Sequence, residues 1–218
     1  MNILDKIKEA PPKILVVGDI MLDRFIFGHV NRISPEAPVP VVQSVKEKYC
    51  LGGCGNVLRN LTNLGVQASV VSVVGYDQAG EKILKDLRKK RISTKNIIQS
   101  KGCRTTEKMR IVAEGQQLVR VDWDTSYLTD RSINKVLKQV DEYIGAVDGV
   151  IISDYNKGVC NELIVKEIIN YVKNLKIPAF IDPKGIKWNK YFGATIITPN
   201  LKEAETVLGK RLKSEKDI

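Results

Sequence analysis

Two adjacent glycines followed at once by a helical pattern leave a chain little conformational choice, and the stretch Leu51 to Gly65, LGGCGNVLRNLTNLG, has this form. Gly52 and Gly53 carry no side chain, so the backbone there can take positive φ and approach a ligand closely. From Asn56 the pattern is helical. Val57, Leu61 and Leu64 fall at i, i+4 and i+7 with Leu58 beside them, and Gly65 stands where a left-handed C-terminal cap is expected. The reading is a turn feeding a helix whose unpaired N–H groups face outward, with the Asn56 amide offering a donor and an acceptor to a hydroxylated ligand. A strand-to-helix turn that needs glycine only for packing has the same spelling.

The neighbouring segments narrow the choice. Lys13 to Gly18 is a continuous apolar run, the signature of a strand covered on both faces in a parallel sheet. Asp19 and Asp23 follow it. Acidic residues beyond a strand's carboxyl end sit where open α/β sheets bind ligands, although either could serve as a turn or cap residue. Strands are expected at 68–74, 149–153, 178–181 and 194–198, and helices at 79–90, 130–144, 159–174 and 201–208. That alternation implies an α/β fold with a doubly wound, mostly parallel sheet and right-handed crossovers. Two strand-rich insertions interrupt it. Pro35, Pro38 and Pro40 restrict the stretch near 38–51 to an edge position, and the stretch near 104–123 alternates around Glu114-Gly115 as a hairpin. Together they suggest a small sheet standing off the main domain, as a lid or a dimer contact. Asp154 in SDYNKG, Asp182 in IDPKG and Asn200 in TPNLKEAE each follow an apolar run. Any one of them could be a helix cap or turn residue, but with Asp19 and Asp23 they argue for a shared crevice.

Composition excludes several functions. The 218 residues suffice for one α/β domain with ample core. No apolar run approaches the ~20 residues needed to cross a bilayer, and the amphipathic start is broken by Pro11-Pro12, so a cytoplasmic home and no membrane partner are expected. Cys50, Cys54, Cys103 and Cys160 are expected as reduced thiols. Cys50 and Cys54 have a C-x3-C spacing, but His29 is the sole histidine and no zinc ligand set is completed. The net charge of +10 has its densest source in 82–95, where Ile83, Leu84, Leu87 and Ile92 form an apolar stripe. The cations there are a solvated face. Aromatic residues, at 6%, are spread out and build no stacking platform, which disfavours a nucleic-acid partner. A basic chain also suits anionic small substrates such as phosphates.

Seven segments in order, VVGDIMLDRF (16–25), RISPEAPVPVV (32–42), GGCGNV (52–57), GQQLVRVD (115–122), SDYNKG (153–158), IDPKG (181–185) and TPNLKEAE (198–205), resemble the ribokinase-like, phosphofructokinase-B type carbohydrate kinases. ISPEAPVPVV, SDYNKG and DPKG point to the branch acting on D-glycero-β-D-manno-heptose 7-phosphate, which makes lipopolysaccharide core precursors. The resemblance runs from Lys13 onward and makes residues 1–218 one kinase domain. It implies ATP and Mg²⁺ as cofactors, a sugar phosphate as acceptor and a homodimer formed through the lid strands. Carried over, Asp23, Gly52, Gly53 and Asn56 would hold sugar hydroxyls, work that suits carboxylate and amide groups. Arg110 and Lys157 would take the substrate's own phosphate, with Asp154 ordering the sugar; Arg110 could instead form a cross-strand ion pair on the lid. Lys184 would meet the ATP phosphates. Asn200 and Glu203 would form the family's N-x-x-E pair, Glu203 lying near magnesium and its waters.

Two departures stand out. Cys54-Gly55 replace two alanines usual in that branch. The family's proton-abstracting base is an Asp in a G-A-G-D segment downstream of N-x-x-E, and no G-x-G-D occurs in these 218 residues. The expectation is an incomplete kinase domain with no catalytic base of its own, inactive alone. A non-catalytic sugar-phosphate-binding or dimerising protein of the same fold is the alternative.

Overall fold

The computed structural model describes residues 2–124 and 127–214. In chain order the elements are α1 (Ile3–Glu9), β1 (Lys13–Gly18), β2 (Ile20–Ile33), β3 (Pro40–Gly53), α2 (Cys54–Asn63), β4 (Gln67–Gly75), α3 (Gln78–Lys89), β5 (Ile97–Ser100), β6 (Glu107–Ala113), β7 (Gln116–Trp123), α4 (Asp130–Ile144), β8 (Gly149–Ser153), α5 (Glu162–Leu175), β9 (Ala179–Asp182), a 3-10 turn at Trp188–Tyr191, β10 (Ile196–Ile197) and α6 (Leu201–Leu208). The strands form two sheets.

The main sheet has the order β10-β9-β8-β1-β4-β5 and every neighbouring pair is parallel. Its continuous apolar runs are explained by cover on both faces. Leu15 and Val17 of β1 join Val71, Val150 and Ile152 under Val136 and Val140 of α4 and Ile164 and Ile168 of α5. Val16 points to the opposite face with Val70 and Val74, against Leu58 of α2 and Ile83 and Leu87 of α3. Each such side chain contributes roughly 1.5–3 kcal/mol by leaving water. Ile83, Leu84, Leu87 and Ile92 are all buried, while the lysines and arginines of 82–95 lie exposed.

The second sheet, β3-β2-β6-β7, contains the two strand-rich insertions expected as a lid or dimer contact. Pro40 opens β3, which occupies an edge as the prolines require. β6 and β7 form the expected hairpin, turning through Glu114 (φ 51°) and Gly115 (φ 76°), the paired left-handed residues of a tight antiparallel turn. One strand escaped the sequence reading. β2 leaves β1 directly and runs 14 residues, so Asp23 lies inside a lid strand rather than at the carboxyl end of β1.

The glycine turn also needs correction. Gly52 and Gly53 are the last residues of β3, paired with Met21 and Ile20, and α2 starts at Cys54 rather than Asn56. Pairing with β2 continues to Gly53, where φ 57° and ψ −135° swing the chain into the helix. The buried face of α2 is Cys54, Gly55 and Leu58, whereas Leu64 is 48% exposed; Gly65, at φ 86°, does take the left-handed position after the helix. Helix α5 begins at Glu162, three residues after the expected start at Val159, because a buried carboxylate holds the preceding loop. α1, β5 and the 3-10 turn were not anticipated. All four cysteines are free thiols, and no described helix is long and apolar enough to cross a membrane.

Candidate active site

The carboxyl ends of β1, β8 and β9 and the root of the lid converge on one region. Asp19, 1% exposed, follows β1. Its Oδ2 accepts the N–H groups of Tyr155 (2.9 Å) and Lys157 (3.0 Å), and its Oδ1 accepts that of Val159 (2.9 Å). Burial pushes its carboxyl pKa up against those three donors, with nearby Asp154 adding to the rise. Asp19 therefore shapes the loop after β8, in which Asn156 (φ 57°) and Gly158 (φ 107°) are left-handed.

Asp23 lies four residues further on, within β2. Arg110 reaches it from the parallel neighbour β6, Nη1 to Oδ1, and the guanidinium also covers the Phe25 ring at 5.1 Å. The cross-strand ion pair on the lid is thus formed, between two groups that each remain about one-fifth exposed. The glycines guard this place sterically. A Cβ on Gly52 would strike the Asp23 carboxylate and Met21, and one on Gly53 would strike the backbone oxygen of Asp19. Asn56 follows in the first turn of α2, half-buried, its Oδ1 accepting from Arg59. Of the four residues expected to hold the sugar, Asp23 and Gly52 are brought into contact, with Gly53 next to them and Asn56 in the following turn.

The SDYNKG loop supplies the next groups. Lys157 points to the end of the lid hairpin, its Nζ 2.6 Å from Asp124 Oδ2. Asp154, 1% exposed, is turned inward: Oδ1 accepts the Asn156 N–H, and Oδ2 accepts from Lys190 Nζ and Tyr191 Oη. Both oxygens are engaged by protein, so an approach of Asp154 to a sugar requires these bonds to exchange.

Beyond β9 lies a cavity of about 200 Å³ lined by Asp154, Tyr155, Asp182, Lys184, Asn200 and Glu203 among others. The N-x-x-E pair has a local structural reason here. Asn200 Oδ1 accepts the Glu203 N–H (2.9 Å) and Glu203 Oε2 accepts the Asn200 N–H (3.0 Å), a reciprocal capping box that starts α6. Glu203 Oε1 meets Lys184 Nζ at 2.6 Å. Burial opposes the charge on Glu203, but Lys184 and the Asn200 amide outweigh it and hold the carboxyl below the ordinary range; the same bond raises Lys184. Asp182 is raised by burial and then by the charge of Glu203, and its carboxylate has no hydrogen-bond or ion-pair partner among the described residues. A half-buried carboxylate without a partner, beside a second carboxylate and a hydroxyl, is a donor set suited to a hydrated Mg²⁺ ion. Lys184 adds a cation to the same cavity.

Tyr155 was not singled out from the sequence although it stands within SDYNKG. Its hydroxyl pKa is raised by burial, then by Asp182 against Lys184, with Asp23 also contributing. It is the side chain that senses both Asp23 and the cavity, and only the fold brings those carboxylates near it.

Residues 11–218 match the model of the pfkB family carbohydrate kinases. The chain is 46% identical over 206 residues to the Bifunctional protein HldE of Campylobacter concisus, covering 94% of this chain and 43% of that protein. It is 42% identical over 210 residues to the protein of the same name from Wolinella succinogenes, covering 95% and 44%. The chain thus spans less than half the length of these relatives. Among solved structures, phosphofructokinase-2 from Escherichia coli in complex with fructose-6-phosphate superposes with a TM-score of 0.75 at 19% identity, over 94% of this chain and 67% of that one. Arabidopsis thaliana ribokinase complexed with ribose and ATP gives 0.67 at 15% identity, over 95% and 66%. By sequence match and by fold together, the chain belongs to the pfkB family of carbohydrate kinases.

Proposed function

We propose that the chain is the sugar-binding and donor-phosphate-facing part of an ATP-dependent sugar-phosphate kinase acting on D-glycero-β-D-manno-heptose 7-phosphate at O1. The observation that carries this reading is the cation and carboxylate set of Lys184, Asp182 and Glu203 in the cavity beyond β9, whose lining residue Tyr155 also feels the charge of Asp23. Similarity to proteins named HldE supports the heptose, and a cytoplasmic setting belongs to the same reading.

In this reading Asp23 and Asn56 bond sugar hydroxyls, and Arg110 and Lys157 face the acceptor's own phosphate, each released from its present carboxylate partner as the ligand arrives. Asp182 and Glu203 would hold magnesium, which would supply charge neutralisation to the donor phosphates, and Lys184 would face those phosphates. None of the 218 residues is assigned as the base, so little phosphorylation is expected from this polypeptide by itself. The lid also offers a homodimer contact: β3 and β7 are edge strands, and Val45, Leu118 and Val119 on them are exposed.

Calorimetry tests the assignment. Asp23→Asn should weaken heptose 7-phosphate binding by about tenfold or more, the loss of a charged hydrogen-bond acceptor, and leave Mg·ATP affinity unchanged. Equal loss of both ligands would overturn the assignment of Asp23. Binding of heptose 7-phosphate without any Mg·ATP binding would favour the non-catalytic sugar-phosphate-binding alternative.

A further inference from the structure

Beneath the proposed site lies a buried polar cluster, of which Asp154 also lines the cavity beyond β9. The carboxylates of Asp19 and Asp154 and the Cys160 thiol offer atoms within 4.8 Å of one another, all buried. Two like charges so close in a low-dielectric interior are costly unless compensated. Asp19 is satisfied by backbone N–H groups alone. The single cation bonded to the cluster among the described residues is Lys190, whose side chain is 13% exposed. Its Nζ donates to Asp154 Oδ2 (2.5 Å) and to the Cys160 carbonyl (2.8 Å).

Tyr191, the next residue, completes a connection. Its hydroxyl donates to the same Asp154 Oδ2 (2.7 Å) and accepts the Lys184 N–H (3.1 Å). Asp154 Oδ1 meanwhile accepts the Asn156 N–H. One carboxylate therefore ties the loop bearing Lys157 to the loop bearing Lys184.

We infer that Lys190 and Tyr191 are positioning residues: with Asp154 they clamp the 154–159 and 183–185 loops together, fixing the spacing of Lys157 and Lys184 for two different phosphate groups. The inference rests on the kinase reading for the identity of those phosphates, and on geometry alone for the clamp. It gives Asp154 a supporting task in place of direct contact with the sugar. It also makes the 3-10 turn, which follows Lys184 closely in sequence but lies about thirty residues after Lys157, a determinant of the site.

Amide hydrogen exchange on the ligand-free 218-residue protein tests the clamp. Tyr191→Phe keeps the buried ring and removes one hydroxyl, and exchange should quicken by about tenfold at Lys184 and its neighbours, the worth of one buried hydrogen bond. Lys190→Met should quicken exchange in both loops, and Lys190→Arg should restore it. Exchange in β1 and β8 should stay at the wild-type rate in Tyr191→Phe, which separates positioning from a general loss of structure. Calorimetry on Tyr191→Phe should show weaker Mg·ATP binding with heptose 7-phosphate affinity held. Unchanged exchange at Lys184 in Tyr191→Phe, or exchange raised uniformly across the sheet, would overturn the clamp, and this variant decides even where Lys190→Met does not fold. If the wild-type protein binds neither ligand, the kinase reading fails while the exchange result still judges the clamp.

Discussion

Lys184 and Glu203 illustrate how a pair of side chains can hold a site in waiting. Their bond lowers the Glu203 carboxyl below its reference of 4.5 and raises the Lys184 ammonium above 10.5. The sign of the linkage follows from each partner. Glu203, depressed in the fold, contributes stability that is present above 4.5 and is lost as pH falls through its lower folded value. Lys184, elevated, contributes stability that is present below 10.5 and is lost as pH rises through its higher folded value. Because Lys184 is about half exposed, solvent screening keeps the contribution small. Glu203→Gln should therefore lower the melting temperature slightly at neutral pH, with the difference from wild type shrinking as pH falls below about 4 in thermal melts. A difference that grows on acidification would contradict the assignment. Gly53 makes the complementary point for shape. At φ 57° and ψ −135° it occupies a region open almost only to glycine, and an added methyl would meet the Asp19 backbone that carries the loop-shaping carboxylate. Such a position is spelled in the sequence as a glycine, but which of two glycines turns the chain is settled by strand pairing.

At the scale of elements, α2 and α6 are held in opposite ways. α2 depends on burial: Leu58 is fully enclosed between the main sheet and the lid root, beside Cys54 and Leu51. Leu58→Ala should cost about 2–5 kcal/mol, measured by chemical denaturation, as expected for a cavity in a well-packed core. A cost below about 1 kcal/mol would mean that this core is not cooperative with the rest. α6 has no buried residue and is defined by its ends, the Asn200–Glu203 capping box and Gly209 in the left-handed conformation. Caps are local, which is why 201–208 was legible to the residue. β2 was not legible, since the run from Ile20 changes from three buried residues to a string of half-buried ones and carries no clean two-residue alternation. The lid's root is further tied to the body by Lys82 of α3, whose Nζ stands 3.6 Å from the centre of the Tyr49 ring, a contact between residues with no sequence relation.

For the whole molecule, the lid leaves two unpaired strand edges and exposed apolar side chains, Val45 at 68% among them, on a protein that is otherwise strongly charged. If lid pairs with lid in a homodimer, Val45→Lys combined with Val119→Lys should shift the mass in sedimentation or light scattering to the monomer and leave the main-domain melting unchanged. Dimers that survive both substitutions would move the contact elsewhere. Several features were determined by the sequence alone. The parallel core of β1, β4 and β8, the helices 130–144 and 201–208, the hairpin at Glu114-Gly115 and the clustering of polar residues at strand ends all follow from local periods, caps and turn chemistry. What each polar residue does was decided by tertiary structure. Asp19 and Asp23 look alike in VVGDIMLD, yet one is buried under the loop after β8, 136 to 140 residues away, and the other faces Arg110 across a lid strand. The adjacency of β8 and β1, and of β2 and β6, is what brings these partners together. Hydrogen bonds and charge pairs over such separations have no periodic trace in a sequence, because their partners are chosen by strand order rather than by spacing along the chain.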